Sequence, residues 1–233
     1  MATPDPDTGV PNLPPTSWAV LAMLSYEEEI SGYDLKKWAD WSLRYIYWTP
    51  SYSQIYAELK KLEQHGFASS RLDPDNTMRA RRLYQITAEG RAAVTTWWNK
   101  APVDPSVLKH HVLLRVMFGH LGSPDRLKQI LHDHIADVDK LAQRAAIDAE
   151  AAKSEPGWAY SQLVLQWAQR HYATERDLAQ QLIDDIDNAA TTLADAEHDD
   201  RAEYPHPTPG RWREIEQRVR AEELEQHDRV PPD

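Results

Sequence analysis

The sequence predicts a mainly α-helical protein with one small β hairpin, arranged as an N-terminal helical domain and a C-terminal domain of long antiparallel helices. Three observations carry this prediction. Residues 49–90 pass from a capped amphipathic helix into two strand-forming runs separated by a turn-rich, arginine-bearing segment. Residues 124–195 keep helical apolar periodicity with a single short break. Between the two regions lies Ala101-Pro102-Val103-Asp104-Pro105, a proline-punctuated linker that we take as the domain boundary.

Each element follows from local chemistry. Residues 1–15 are Pro-rich and polar, so they read as a disordered tail. They lack the basic start and apolar core of a signal peptide. Trp18, Leu21, Ala22 and Leu24 share a helical face, which predicts a helix over 17–25. Residues 26–30 form a connector. Ser31 then serves as N-cap for a helix over 32–45 with Tyr33, Leu35, Trp38, Ala39, Trp41 and Leu43 along it. Pro50 biases Thr49 out of helical conformation and resets the chain. Ser51 with Gln54 three residues on is a capping box for a helix over 51–65, whose buried face is Ile55, Leu59 and Leu62. His65-Gly66 stops it, because glycine accepts the left-handed backbone after a helix. Strands are predicted over 67–72 and 82–87. Thr87 caps a helix to about Asn99 that carries Val94, Trp97 and Trp98, with Glu89 at its positive end.

The remainder reads as helix. We expect a helix over 106–121, a Ser123-Pro124 start to a helix over 124–152, a break at 154–157, and a helix over 158–195. A pair of long helices this thin cannot bury its apolar stripes alone, so a second copy of the chain is expected against it. The domain plan is thus a tail at 1–15, an N-terminal domain at 16–100, a helical dimerisation domain at 106–195, and a linker with a C-terminal helix at 196–233.

Composition narrows the function. With no cysteine there are no disulfides or thiolate metal sites, which suits a reducing cytoplasm, the expected location. No apolar run reaches the roughly 18 residues of a membrane span. The net charge is −11, but it is unevenly placed. Residues 1–100 hold 11 Lys and Arg against 12 Asp and Glu, whereas residues 101–233 hold 15 against 25. The first half is therefore nearly balanced and clusters arginine at Arg79, Arg81 and Arg82. A local basic surface binds phosphate even on an acidic protein, since screening limits charge effects to about 8–10 Å at cellular salt. Ten histidines raise the question of a metal. His132 and His134 face different sides of one helix and His110-His111 are adjacent, so neither pair converges on an ion, and no metal site or cofactor is assigned. HExxH, P-loop, GxGxxG and nucleophile-elbow signatures are absent, and acidic runs such as 184–187 read as solvated faces, so catalysis has no support.

A helix followed by a hairpin with a basic tip is the pattern of a winged helix-turn-helix. A groove-entering helix needs small polar residues at its N-terminus for base edges and cations further along for phosphates. Ser51, Tyr52, Ser53 and Gln54 meet the first need. Lys60 and Lys61 meet the second, and Arg79, Arg81 and Arg82 on the hairpin reach for phosphate or a narrow minor groove. Tyr33 and Tyr56 complete the candidate DNA-binding set. The plainer alternative for this helix is an ordinary solvated face.

The stretches Gly32-Tyr33-Asp34-Leu35, Pro50 to Gly66 and Arg82 to Gly90 together resemble the PadR family of bacterial transcriptional regulators over about 80 residues. The segment HHVLLRVMFGHLGSPDRLKQILHDHI resembles the long C-terminal domain of the AphA-like branch. The resemblance implies a homodimer in which each winged helix reads half of a near-palindromic operator while the C-terminal helices exchange across the two-fold. It implies repression as the common outcome, and in some members a response to phenolic or other aromatic small molecules. It therefore implies a candidate effector site between the two domains, near Trp97, Trp98, His110 and Leu114. A reading of another class is a protein-interaction module using the winged helix and the acidic helical surface; an operator upstream of the chain's own gene separates the two.

Overall fold

The computed structural model describes residues 9–26, 29–73, 81–198 and 209–227. By internal contacts the chain forms two compact units. The first comprises residues 1–109 and 139–173, the second residues 110–138 and 174–233.

The first unit begins with α1 (Pro15–Leu24), which has proline in its first turn, where a missing N–H costs nothing. Val10 and Leu13 precede it and are buried in the core, so the ordered chain begins before the expected end of the tail. Residues 1–8 of that tail lie outside the described residues. The expected connector contains a two-residue strand, β1 (Ile30–Ser31), and Ser31 caps α2 (Gly32–Ser42) by accepting from the Asp34 N–H at 3.2 Å. α2 stops three residues earlier than predicted, giving way to a 3-10 turn over Leu43–Tyr45.

Helix α3 (Tyr52–Gln64) has the predicted capping box on both sides. The Gln54 N–H donates to Ser51 Oγ at 3.2 Å, and the Ser51 N–H donates to Gln54 Oε1 at 2.8 Å. Ile55, Leu59 and Leu62 are completely buried. At about 25 cal/mol per Å² of apolar area, such a triad contributes several kcal/mol and fixes which face of α3 points outward. Gly66 ends the turn at φ +76°, a left-handed conformation that favours glycine.

The predicted hairpin is β2 (Ala68–Leu72) with β3 (Arg82–Ile86), antiparallel from Ala68–Ile86 to Leu72–Arg82. β1 adds to the other side of β3, pairing Ile30 with Tyr84 and Ser31 with Leu83, so the sheet has three strands in the order β1-β3-β2. A two-residue strand carries no readable periodicity, and only the tertiary approach of α2 to the wing creates it. Helix α4 (Ala88–Lys100) starts where Thr87 Oγ1 accepts from the Gly90 N–H at 3.0 Å and donates to the Gly66 carbonyl at 2.7 Å. Trp97 of α4 stacks on Trp18 of α1 at 5.4 Å between ring centroids.

A second core in the same unit joins the end of α2 to the helices that follow. Tyr45 packs with Ala145, Ala149 and Ala152 of α6 (Pro124–Lys153) and with Leu165 and Ala168 of α7 (Ala159–His198). Trp158, in the turn between those helices, meets Trp38 and Trp41, each at 4.8 Å between ring centroids.

In the second unit, α5 (His111–Met117) is shorter than the predicted helix over 106–121. The chain from 102 to 110 is irregular, and His110 supplies the cap of α5: its Nδ1 accepts from the Leu113 N–H at 3.1 Å. Ser123 caps α6 as predicted, with the Arg126 N–H on its Oγ at 3.2 Å. Leu131 packs here with Ala179, Ile183 and Ile186 of α7, and Val112 and Val116 of α5 cover that core. Helix α8 (Trp212–His227) lies within the segment at 196–233 expected to hold a linker and a C-terminal helix. The acidic linker around 199–208 lies outside the described residues.

Candidate nucleic-acid interface

The outward surface of α3 is built by the capping box. Ser51, Tyr52, Ser53 and Gln54 are all exposed in the first turn, and Ser51 Oγ lies 2.9 Å from Ser53 Oγ. Because Gln54 Oε1 accepts from the Ser51 N–H, the side-chain amide is held in place with its Nε2 left to donate outward. The box therefore positions the amide that a base edge would meet.

Tyrosines extend this surface onto α2. Tyr33 stacks on Tyr52, with centroids 5.7 Å apart and planes 14° from parallel. Lys36 lies over the Tyr52 ring at 5.5 Å but is largely buried and paired with Asp40, whereas exposed Lys37 lies over the Tyr33 ring at 5.4 Å. Tyr56, one turn further along α3, is also exposed and rests against Gly32: a Cβ at position 32 would lie 2.5 Å from its ring. The Gly-Tyr opening of α2 thus has two roles, since the glycine admits Tyr56 and the tyrosine stacks on Tyr52. Neither lysine was singled out from sequence; helical spacing from Tyr33 would have found Lys37.

The two lysines of α3 differ. Lys60 is exposed and has no ion-pair partner among the described residues. Lys61 Nζ lies 2.7 Å from Glu58 Oε1, and buried Glu58 in turn accepts from Ser17 of α1. Lys61 therefore sits in a bond chain that ties α3 to α1.

The wing arginines are likewise held by partners. Arg81 pairs with Asp34 at the start of α2 and donates to Ser31 Oγ at 3.2 Å. Arg82 donates to Ser70 Oγ at 2.8 Å across the hairpin, and Ser70 donates to Glu63 Oε1 at 2.5 Å. Arg71, on the same hairpin, pairs with Glu29, whose carboxyl is held below its ordinary range chiefly by that guanidinium's hydrogen bond. Arg79 lies outside the described residues.

Of the residues expected near an effector, Trp97 and Trp98 belong to the first unit and His110 and Leu114 to the second. Trp97 is packed against Trp18 and lines a groove of about 520 Å³, while Trp98 is 77% exposed. Beside that groove, still within the first unit, Trp38, Trp41 and Trp158 line a cavity of about 250 Å³ with Met23, Tyr26 and Leu35. From the sequence, Trp38 and Trp41 are expected along the helix over 32–45, and Trp158 carries no local signal. Their convergence depends on Trp158, more than a hundred residues away, and is not written in local spacing. Leu114 is exposed.

His110 is half-buried with Glu175 and His134. Its Nε2 lies 2.6 Å from Glu175 Oε1, and His134 Nε2 lies 3.0 Å from the same oxygen. Burial pushes the Glu175 carboxyl up, but the hydrogen bonds and charges of the two imidazoles together bring it below its ordinary value. Neither neighbouring histidine pair in the sequence converges, whereas these two, 24 positions apart, do.

These elements define a winged helix-turn-helix domain: a capped helix with an exposed polar first turn, backed by α1 and α2 and followed by a hairpin. Residues 20–96, about a third of the chain, match the transcriptional regulator PadR-like family. The negative transcriptional regulator PadR of Bacillus subtilis is 31% identical over 118 residues, which are 51% of this chain and 64% of that protein. The chain thus matches just under two thirds of the length of this relative. Among solved structures, the fold resembles Bacillus subtilis PadR in complex with operator DNA, with a TM-score of 0.64 and 24% identity over 73% of this chain and 98% of that one. It also resembles the same protein in complex with p-coumaric acid, at 0.58 and 21% over 76% and 99%. The Vibrio cholerae virulence activator AphA aligns at 0.59 and 21% over 75% and 99%.

Proposed function

We propose that this protein is a sequence-specific DNA-binding transcriptional regulator acting as a homodimer, with the first turn of α3 entering the major groove. One observation carries the reading. The capping box presents Gln54 Nε2 outward beside Ser53, on a helix whose opposite face is wholly buried, and the Tyr33–Tyr52 pair with Lys37 continues the same surface. Polar donors at a helix N-terminus meet base edges, and flanking cations meet phosphates. The operator complex of the Bacillus subtilis relative agrees with this use of the fold. So does the absence, among the described residues, of a helix long and apolar enough to cross a membrane. The proposed setting is the cytoplasm.

The homodimer is supported by apolar side chains that this chain leaves in water. Tyr160, Leu163 and Trp167 on α7 of the first unit, and Met117, Phe118 and Leu121 of the second, are all exposed. The proposed outcome is repression, as the name of the negatively acting relative suggests. The effector proposed is a small aromatic acid of the p-coumaric class, after the complex of that relative. In this chain we assign it to the cavity walled by Trp38, Trp41 and Trp158, whose apolar lining and three indoles suit a phenyl ring.

The test is selection of bound DNA from a random pool with the full chain, followed by gel shifts with and without p-coumaric acid. The expected result is an enriched two-fold sequence with half-sites one helical turn or more apart, released by the acid. An unenriched pool would refute DNA reading. An enriched site indifferent to aromatic acids would refute only the effector.

A further inference from the structure

We propose that His110, His134 and Glu175 form a binding site for a divalent transition-metal ion of the zinc class. The three residues come from the cap of α5, the middle of α6 and the middle of α7, all in the second unit. One ligand atom from each lies within 4.8 Å of the other two. Their side chains are 12%, 18% and 17% exposed, enough to admit an ion and little enough to exclude bulk water from most of its shell. Two imidazoles and one carboxylate with a fourth position open is a ligand set that zinc takes in tetrahedral geometry. Imidazole donors also suit nickel, cobalt and copper, whereas magnesium and calcium prefer an all-oxygen shell.

A hydrogen-bonded triad without an ion is the competing account, and the metal titration below separates the two. Both imidazoles aim Nε2 at one oxygen of Glu175, which gathers three ligand atoms around one point. Glu175 has no Lys or Arg partner among the described residues, so its charge is met by the imidazoles alone. The present separations of 2.6 and 3.0 Å are hydrogen-bond lengths. An ion about 2.0–2.1 Å from each donor in tetrahedral geometry sets the donors about 3.3–3.4 Å apart, so each imidazole nitrogen must draw back from the Glu175 oxygen by about 0.3–0.8 Å, within reach of side-chain rotation.

Binding has a structural consequence that the hydrogen-bonded triad lacks. His110 Nδ1 now accepts the Leu113 N–H at 3.1 Å, which places the ring's proton on Nε2. Coordination through Nε2 moves that proton to Nδ1, a change of tautomer with no net proton lost from a neutral ring. Nδ1–H then faces the Leu113 N–H, and the cap of α5 is broken. One cap bond is small beside three metal–ligand bonds, so the ion wins and the first turn of α5 loosens. The site therefore couples ion occupancy to the start of the helix that follows the interdomain linker.

The experiment uses the full chain, freed of metal by chelation, titrated with cobalt(II) under visible absorption and then with zinc(II). One cobalt per chain with the intense bands of four- or five-coordination, displaced by one zinc, is the expected result. Zinc should also raise the melting temperature and lower the hydrogen-exchange protection of the Leu113 amide. Glu175→Gln and His110→Asn should each weaken binding at least about a hundredfold. His110→Asn keeps a good capping acceptor, so its fold is preserved while the ligand is lost. His132→Asn, on an exposed neighbour, should leave binding unchanged. Equal stoichiometry and affinity in wild type and both site variants would overturn the proposal, as would only the weak bands of six-coordinate cobalt in the wild type.

Discussion

The Tyr45 hydroxyl donates to Asp148 Oδ2 at 2.6 Å, joining the turn after α2 to a residue of α6 that is 103 positions away. Arg144 Nε reaches the same carboxylate at 3.2 Å, and the Tyr172 hydroxyl donates to the Tyr45 carbonyl at 3.0 Å. A buried carboxylate that loses its donor keeps its desolvation cost. Tyr45→Phe should therefore destabilise the chain by about 1–3 kcal/mol, read from urea midpoints. Burial, then the Asp148 hydrogen bond and charge, push the phenol up to about 12. The folded state thus favours the neutral phenol. Its contribution is fully present below the unfolded value near 10 and is lost as pH rises toward 12. Wild type should lose stability over that window faster than Tyr45→Phe, and parallel pH profiles would contradict the assignment.

Gly90 is required by contact. A Cβ there would lie 2.0 Å from the Phe67 carbonyl oxygen, which is backbone and cannot turn aside. Gly90→Ala should cost about 3 kcal/mol or more by forcing α4 off the hairpin. Gly122→Ala, where an added Cβ meets nothing, should change stability by less than about 0.5 kcal/mol. Thermal melts of the two variants check the contrast.

Gln54 has a structural and a proposed reading role, and they are separable. Gln54→Ala removes the return half of the capping box and should cost about 0.5–1 kcal/mol in stability. Gln54→Glu keeps an acceptor for the Ser51 N–H but no longer donates outward. It should retain stability while changing sequence preference in a binding-site selection; an identical selected motif would count against base reading by this residue.

Lys60 and Arg81 are expected to act on phosphate in different ways. Lys60→Ala should weaken binding to all sequences alike and reduce the salt slope by about 1. Arg81 is already paired with Asp34. If the guanidinium contacts phosphate, Asp34→Asn frees charge at the wing and should tighten binding at low salt, with Arg81→Ala moving the opposite way. Gel-shift series across salt concentrations decide the matter, and unchanged affinity in both variants would remove Arg81 from the interface.

Much of the first unit was legible because its signals are local. Ser51 with Gln54, Thr87 with Gly90, Ser31 with Asp34 and Gly66 after α3 each act within four residues, and each caps or stops its helix where expected. Short-range rules failed where the deciding partner was distant in sequence. β1 exists only because β3 passes beside it. The early end of α2 coincides with Tyr45 turning into the core made by α6 and α7. The state of Arg81 depended on Asp34, 47 positions away, whereas Lys61 and Glu58 pair within one turn of α3.

The sequence by itself determined the order and type of the helices and the exposed polar turn of α3, because capping and apolar periodicity are properties of neighbouring residues. Tertiary structure alone decided that Arg81 is already paired with Asp34, how three tryptophans from α2 and the turn before α7 enclose a cavity, and that His110, His134 and Glu175 meet. Each of those depends on side chains brought together from elements tens of residues or more apart, and hydrogen bonds and van der Waals contacts act only over a few ångströms.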